Sequence, residues 1–131
     1  MWPFGRRAKP ALGKRGERAA RKFLKRKGMK ILAENFRCPR GEVDLIAFDR
    51  STRAETGETI CFVEVKTRSS DRYTDPESAV DAGKRARIKR AADYYLAGRA
   101  AAEGLNVRFD VVSIVMATDG QPQVKHIADA F

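Results

Sequence analysis

Three residues on two short apolar segments have the types and spacing for phosphate chemistry. Asp44 lies in Gly41-Glu42-Val43-Asp44-Leu45-Ile46, and Glu64 and Lys66 lie in Phe62-Val63-Glu64-Val65-Lys66. Both segments read as strands, because β-branched and aliphatic residues alternate with charged ones. Side chains two apart on a strand share a face. Glu64 therefore sits with Lys66 and Glu42 with Asp44, while Val43 and Leu45 lie on one side and Ile46 and Phe48 on the other. Apolar residues on both faces place such strands inside a sheet. Each desolvated ion there costs roughly several kcal/mol, so a compensating partner is required. Asp44, Glu64 and Lys66 together carry −1, whereas a simple ion pair would balance. Two carboxylates from neighbouring strands match the oxygen ligation of Mg²⁺. A lysine beside such a metal can orient or activate a water, or steady a phosphate. The chemistry indicated is phosphodiester hydrolysis at a divalent-metal site. The bland alternative for the Glu-Val-Lys triplet is an edge-strand salt bridge with solvated acids.

The elements that must position these residues follow from periodicity and punctuation. Residues 1–12 form a flexible basic lead with Pro3, Gly5 and Pro10. A helix is predicted from Gly13 to Lys27, stopping at Gly28, with a narrow apolar stripe of Ala20, Phe23, Leu24 and the stem of Lys27. Strands are predicted over residues 29–35, 42–49, 59–66, 107–115 and 123–127, with a polar hairpin loop at 51–58. A second helix is expected to start at Asp75 as N-cap with Pro76 behind it, and to end at Gly98. Its buried stripe would be Val80, Ile88, Ala91, Ala92 and Tyr95. The order α-β-β-β-α-β-β implies an antiparallel meander, then a crossover to a strand parallel to the third. The fold class is thus α/β, one domain over residues 13–131 with a central mixed sheet flanked by helices.

The chain has 131 residues and a net charge of +10, enough length for one modest core and enough charge to point to a polyanion partner. Residues 1–40 carry +12 and residues 41–131 carry −2. Basic charge is therefore concentrated on the lead and first helix, and acids around the proposed site. Cys38 and Cys61 form no C-x-x-C and the only histidine is His126, which leaves no zinc set. A reducing, cytoplasmic setting is the simplest reading, with a disulfide left open. No segment is long enough to span a membrane, and the N-terminus lacks a signal-peptide core.

Together these residues resemble a known group. An acid in the first helix, Gly-Glu-Val-Asp-Leu-Ile and then Phe-Val-Glu-Val-Lys are similar to the PD-(D/E)xK nuclease superfamily, which includes type II restriction enzymes and archaeal Holliday-junction resolvases. More closely, the chain resembles the YraN family of small endonuclease-like bacterial proteins over residues 13–131. The likeness rests on Gly16-Glu17, Asn35, Asp44, Glu64, Lys66, Lys84 with Tyr94-Tyr95, Arg108-Phe109-Asp110-Val111 and the closing Ala-Asp-Ala-Phe. It implies a restriction-endonuclease-like fold in which Asp44 and Glu64 ligate Mg²⁺ or Mn²⁺, with the Val65 carbonyl as third ligand. Lys66 would position or deprotonate the attacking water. Glu17 matches an acid that contributes to the metal site in resolvases. Glu42 departs from the resolvase pattern and could bind a second metal or lie solvated.

Other residues carry two readings. Glu17 could also be a first-turn acid that complements the helix dipole. Lys84 falls on the apolar stripe of the second helix, where it could reach a phosphate or snorkel to the edge. Gly83-Lys84 is not a Walker A element. Lys14, Arg15, Arg18, Arg68 and Lys84 are the candidate nucleic-acid contacts. Tyr94 and Tyr95 are expected to pack, His126 is given no catalytic role, and Asp110 could assist the site. The expected function is a metal-dependent nuclease on structured or branched DNA, read through shape and backbone charge. The alternatives are a non-catalytic nucleic-acid-binding module on the same fold and an RNA-processing nuclease. Symmetric cleavage would need a homodimer, for which an apolar edge strand at Val111–Val115 is the candidate interface.

Overall fold

A computed structural model describes residues 12–69 and 80–131. Helix α1 spans Leu12–Arg26, followed by strands β1 (Lys30–Cys38), β2 (Gly41–Asp49) and β3 (Thr59–Ser69). Helix α2 spans Ala82–Ala97, a 3-10 turn covers Ala100–Ala102, and β4 (Asn106–Met116) and β5 (Pro122–Ile127) complete the chain. The five strands form one sheet in the order β1-β2-β3-β4-β5. All neighbours are antiparallel except β3 and β4, which are parallel, as a crossover through α2 requires.

Two buried clusters show how the layers form. One gathers Ile46, Ile60, Phe62 and Val111 beneath Ile88, Ala91, Ala92 and Tyr95 of α2. The other gathers Leu45, Cys61, Val63, Val112 and Ile114 beneath Ala20 and Leu24 of α1. Along β3 the odd and even residues thus feed opposite cores, so the helices cover opposite faces. Burying each of these aliphatic side chains is worth about 1.5–3 kcal/mol. Gly28, at φ +90°, supplies the left-handed residue that ends α1. Cys38 and Cys61 are free thiols, and burial pushes the Cys61 thiol up to about 12.

Some expectations lie outside the described residues, and others need correction. The segment at Asp75–Pro76 lies outside the described residues, as does most of the basic lead. The described helix begins at Ala82, where extended Asp81 caps the Lys84 amide at 2.8 Å; Val80 is buried but precedes it. Strand β1 continues to Cys38 because its pairing with β2 runs on through Phe36–Val43 to Cys38–Gly41; Asn35 within it adopts φ +49°, a left-handed conformation that asparagine tolerates. Val43 and Leu45 do not share a face: Val43 packs under α2 and Leu45 under α1, so the alternation breaks at Asp44. Finally, Val111–Val115 is no edge, because β4 lies between β3 and β5.

Candidate active site

The break at Asp44 creates the site. The β2–β3 ladder runs from Asp49–Thr59 to Leu45–Val63 and does not extend to Asp44 and Glu64. The Val65 amide instead donates to Asp44 Oδ2 at 2.8 Å, so a side-chain carboxylate takes over a main-chain role. Glu64, two residues along β3 from Phe62, is 2% exposed. Its Oε2 pairs with Lys66 Nζ at 3.5 Å and more closely with Lys84 Nζ of α2.

Asp44 is pushed up to about 7. Burial is the main cause, followed by the charge of Glu64 and a hydrogen bond to it; the Val65 amide pulls the other way and the charge of Glu17 adds to the rise. Two carboxylates in such contact hold a proton between them or take up a cation. Lys66 is shifted down, first by burial and then by the neighbouring ammonium of Lys84. Burial also acts to lower Lys84, but its contacts with Glu64 outweigh this and leave it raised.

Glu17, Asn35, Glu42 and Asp44 line one cavity of about 150 Å³. The first helix therefore does bring its single acid to Asp44. Its close approach depends on Gly16, where a Cβ would collide with the Thr67 side chain. Glu42 is exposed and pairs with Arg37 at 3.4 Å. Arg68 follows Lys66 on the same strand face, and its Nε is buried with no hydrogen-bond partner among the described residues. Lys14, Arg15 and Arg18 lie on α1, Lys14 and Arg18 exposed and Arg15 half-buried.

Among the described residues, no three His, Cys, Asp or Glu side chains form a ready metal-binding group. The donor set nonetheless fits Mg²⁺ or Mn²⁺, because such ions are held by one or two carboxylates and keep waters or substrate oxygens as their other ligands. Zinc, which takes nitrogen and sulfur donors, finds no such set here. The residual −1 of Asp44, Glu64 and Lys66 is cancelled by Lys84, and Glu17 restores it.

The sequence left Lys84 between a phosphate contact and the helix edge and did not reveal its pair with Glu64. It also grouped Tyr94 with Tyr95: Tyr95 is buried in the α2 core, but Tyr94 is 57% exposed. Asp110 does not join the site. It is fully buried at a separate network, accepting from Arg108 Nε at 2.8 Å, Arg108 Nη2 at 2.9 Å, His126 Nε2 at 2.8 Å and the Asp129 amide at 3.0 Å. Burial works to raise Asp110, but these donors overcome it and hold the carboxyl down at about 2. Asp49 joins through Arg108 Nη2 at 3.0 Å. The alternation Arg108-x-Asp110 and the lone histidine were the signals available for this network.

Residues 16–114 match the model of the uncharacterised protein family UPF0102. The chain belongs to that family. It is 43% identical to a UPF0102 protein of Beutenbergia cavernae over 92% of this chain and 96% of the relative. A UPF0102 protein of Geobacter metallireducens is 44% identical over 92% of each chain, and one of Nocardia farcinica 43% over 94% of this chain and 91% of the relative. The match begins at Gly16 beside Glu17, spans both strands that carry Asp44, Glu64 and Lys66, and includes Lys84 of α2. No described helix is long and apolar enough to cross a membrane.

Proposed function

We propose that this protein is a metal-dependent nuclease of the PD-(D/E)xK superfamily that hydrolyses phosphodiester bonds of DNA, with structured or branched DNA as substrate. One observation carries the reading: Asp44 and Glu64, from adjoining strands, meet where their ladder ends, with Lys66 and Lys84 on the same Glu64 oxygen. In this reading Asp44, Glu64 and the Val65 carbonyl hold Mg²⁺ or Mn²⁺, with Glu17 and Glu42 as further candidates in the adjoining cavity. A divalent ion there would supply Lewis-acid stabilisation of the charge that builds on the phosphate.

The protein's own groups do the rest. Lys66, its proton loosened by burial and by Lys84, positions the attacking water and draws off its proton. Lys84 holds the Glu64 carboxylate in orientation through their pair. Arg68 and Lys14 of α1 engage phosphates on either side, as a bidentate donor and a point charge that read no sequence, while Arg15 and Arg18 turn toward the β4–β5 hairpin.

A second reading is supported by the charge balance. Lys66 and Lys84 together neutralise Asp44 and Glu64, so the cluster could equally serve as a structural element of a non-catalytic nucleic-acid-binding module. The test is cleavage of labelled four-way junction, flap, single strand, duplex and RNA in Mg²⁺, Mn²⁺ or chelator, beside Asp44→Ala and Lys66→Ala. Metal-dependent cutting lost in both variants supports the nuclease, and preference for RNA would reassign its substrate. Binding without cutting in every condition supports the module instead.

A further inference from the structure

Helix α1 carries a second basic face, turned away from the Glu17 side that meets the Asp44 cavity. Arg15, Arg18, Lys22 and Arg26 line a groove of about 620 Å³ between α1 and the β4–β5 hairpin. No acid lines it. None of the four cations forms an ion pair among the described residues, whereas Arg21 on the same helix is held by Glu34 at 2.5 Å. At 1.5 Å rise per residue the four span roughly 16 Å, with neighbours about 4–6 Å apart. Half-buried Phe23 and Met116 form an apolar strip in its floor; the Phe23 ring carries Lys27 Nζ at 5.5 Å from its centroid and meets the His126 ring edge-on, which leaves one ring face for a ligand.

The geometry points to a groove that binds a single nucleic-acid strand, apart from the site of scission. A line of unpaired cations beside an apolar strip with an aromatic ring is how sequence-tolerant single-strand sites work: charge follows the backbone, and here Phe23 and Met116 would receive base faces. With one backbone phosphate per cation, the stripe accommodates on the order of four nucleotides. A duplex keeps its base faces stacked inside and could use only the charge. A membrane would need apolar side chains on the outer face of the helix, but Lys22 and Arg26 occupy it. At 100° per residue, the stripe centres on the side of α1 opposite Glu17, which lies at the Asp44 cavity. A strand in the groove is therefore not the strand at Asp44 and Glu64, and the groove stands whether or not those residues hold a metal.

The experiment is fluorescence anisotropy of full-length protein with a labelled oligo-dT of about a dozen nucleotides, a duplex of equal length, and vesicles containing anionic phospholipid as competitor. Chelator is present throughout, so that the outcome is independent of cleavage. Lys22→Ala/Arg26→Ala is compared with Lys30→Ala/Arg53→Ala, which removes equal charge from exposed positions elsewhere. Circular dichroism checks the folding of both. The groove variant is expected to lose roughly tenfold or more in oligo-dT affinity and about 1.4 from the slope of log K against log salt, at about 0.7 per phosphate contact. The control variant should keep both. Phe23→Leu should weaken oligo-dT several-fold without changing the slope. Equal losses in the two double variants, tighter binding to duplex, or displacement by vesicles would each overturn the proposal.

Discussion

Replacing Asp44 by Asn should make this protein more stable while abolishing any metal-dependent cleavage, and the size of the gain should depend on pH. Asp44 moves from an ordinary 3.8 to about 7 in the folded state, through burial and the adjacent Glu64. The folded chain therefore binds a proton between those values that the unfolded chain releases. Stability falls with pH in that window by about 1.4 kcal/mol per unit. The limit is about 4 kcal/mol above pH 7; relaxation of a half-buried carboxyl and its coupling to Glu64 reduce this to about 2 kcal/mol. An amide keeps an oxygen for the Val65 N–H and gains a donor for Glu64, while removing the charge. Asp44→Asn should therefore match wild type near pH 4 and exceed it increasingly up to about pH 7, with a plateau beyond. Urea melts in chelator at several pH values measure this, and about 2 kcal/mol corresponds to a rise in Tm of roughly 6–10 °C. Mg²⁺ should then raise the midpoint of wild type but not of the variant. A variant less stable than wild type at pH 8, or a difference that does not change with pH, would refute the reasoning.

Other perturbations probe the neighbouring groups. Lys84→Met leaves buried Glu64 with Lys66 alone at 3.5 Å; a loss of about 1–3 kcal/mol in urea melts is expected, with a fall in any cleavage rate. Asp110→Asn removes the charge that Arg108 and His126 enclose, and should cost about 3 kcal/mol. Because the folded Asp110 sits at about 2, its contribution is complete above about pH 4 and disappears as pH falls through 2. An acid titration of wild type should show this loss, and Asp110→Asn should lack it. Gly16→Ala forces a methyl against Thr67 and should destabilise by about 1–3 kcal/mol. Thr67→Ala should recover part of that loss in a double-mutant cycle.

Much of the architecture was legible because the signals were local. The alternation in Gly41–Asp49 and Thr59–Lys66, the apolar run at Val111–Ile114 and the glycine after α1 each reflect one element's own burial or backbone needs. The parallel pairing of β3 with β4 followed from the length between them. The cap that Asp81 provides to α2 was not foreseen, because Asp75-Pro76 carries the same cap chemistry in the sequence and a local pattern does not rank the two. The shared face assigned to Val43 and Leu45 failed for a related reason: strict alternation assumes an unbroken ladder, and the ladder ends at Asp44.

By itself, the sequence determined which elements form, in what order, and that two acids and a lysine would be carried on adjoining apolar strands with excess positive charge in the first helix. Periodicity and composition suffice for that, since each depends on residues a few positions apart. Only the tertiary structure decided that Lys84 closes on Glu64, that Glu17 reaches the Asp44 cavity, that Asp110 belongs to a different network, and that the cations of α1 line a separate groove. Those outcomes depend on where helices cross the sheet and where strands part. They are set by packing between residues tens of positions apart, which no local pattern encodes.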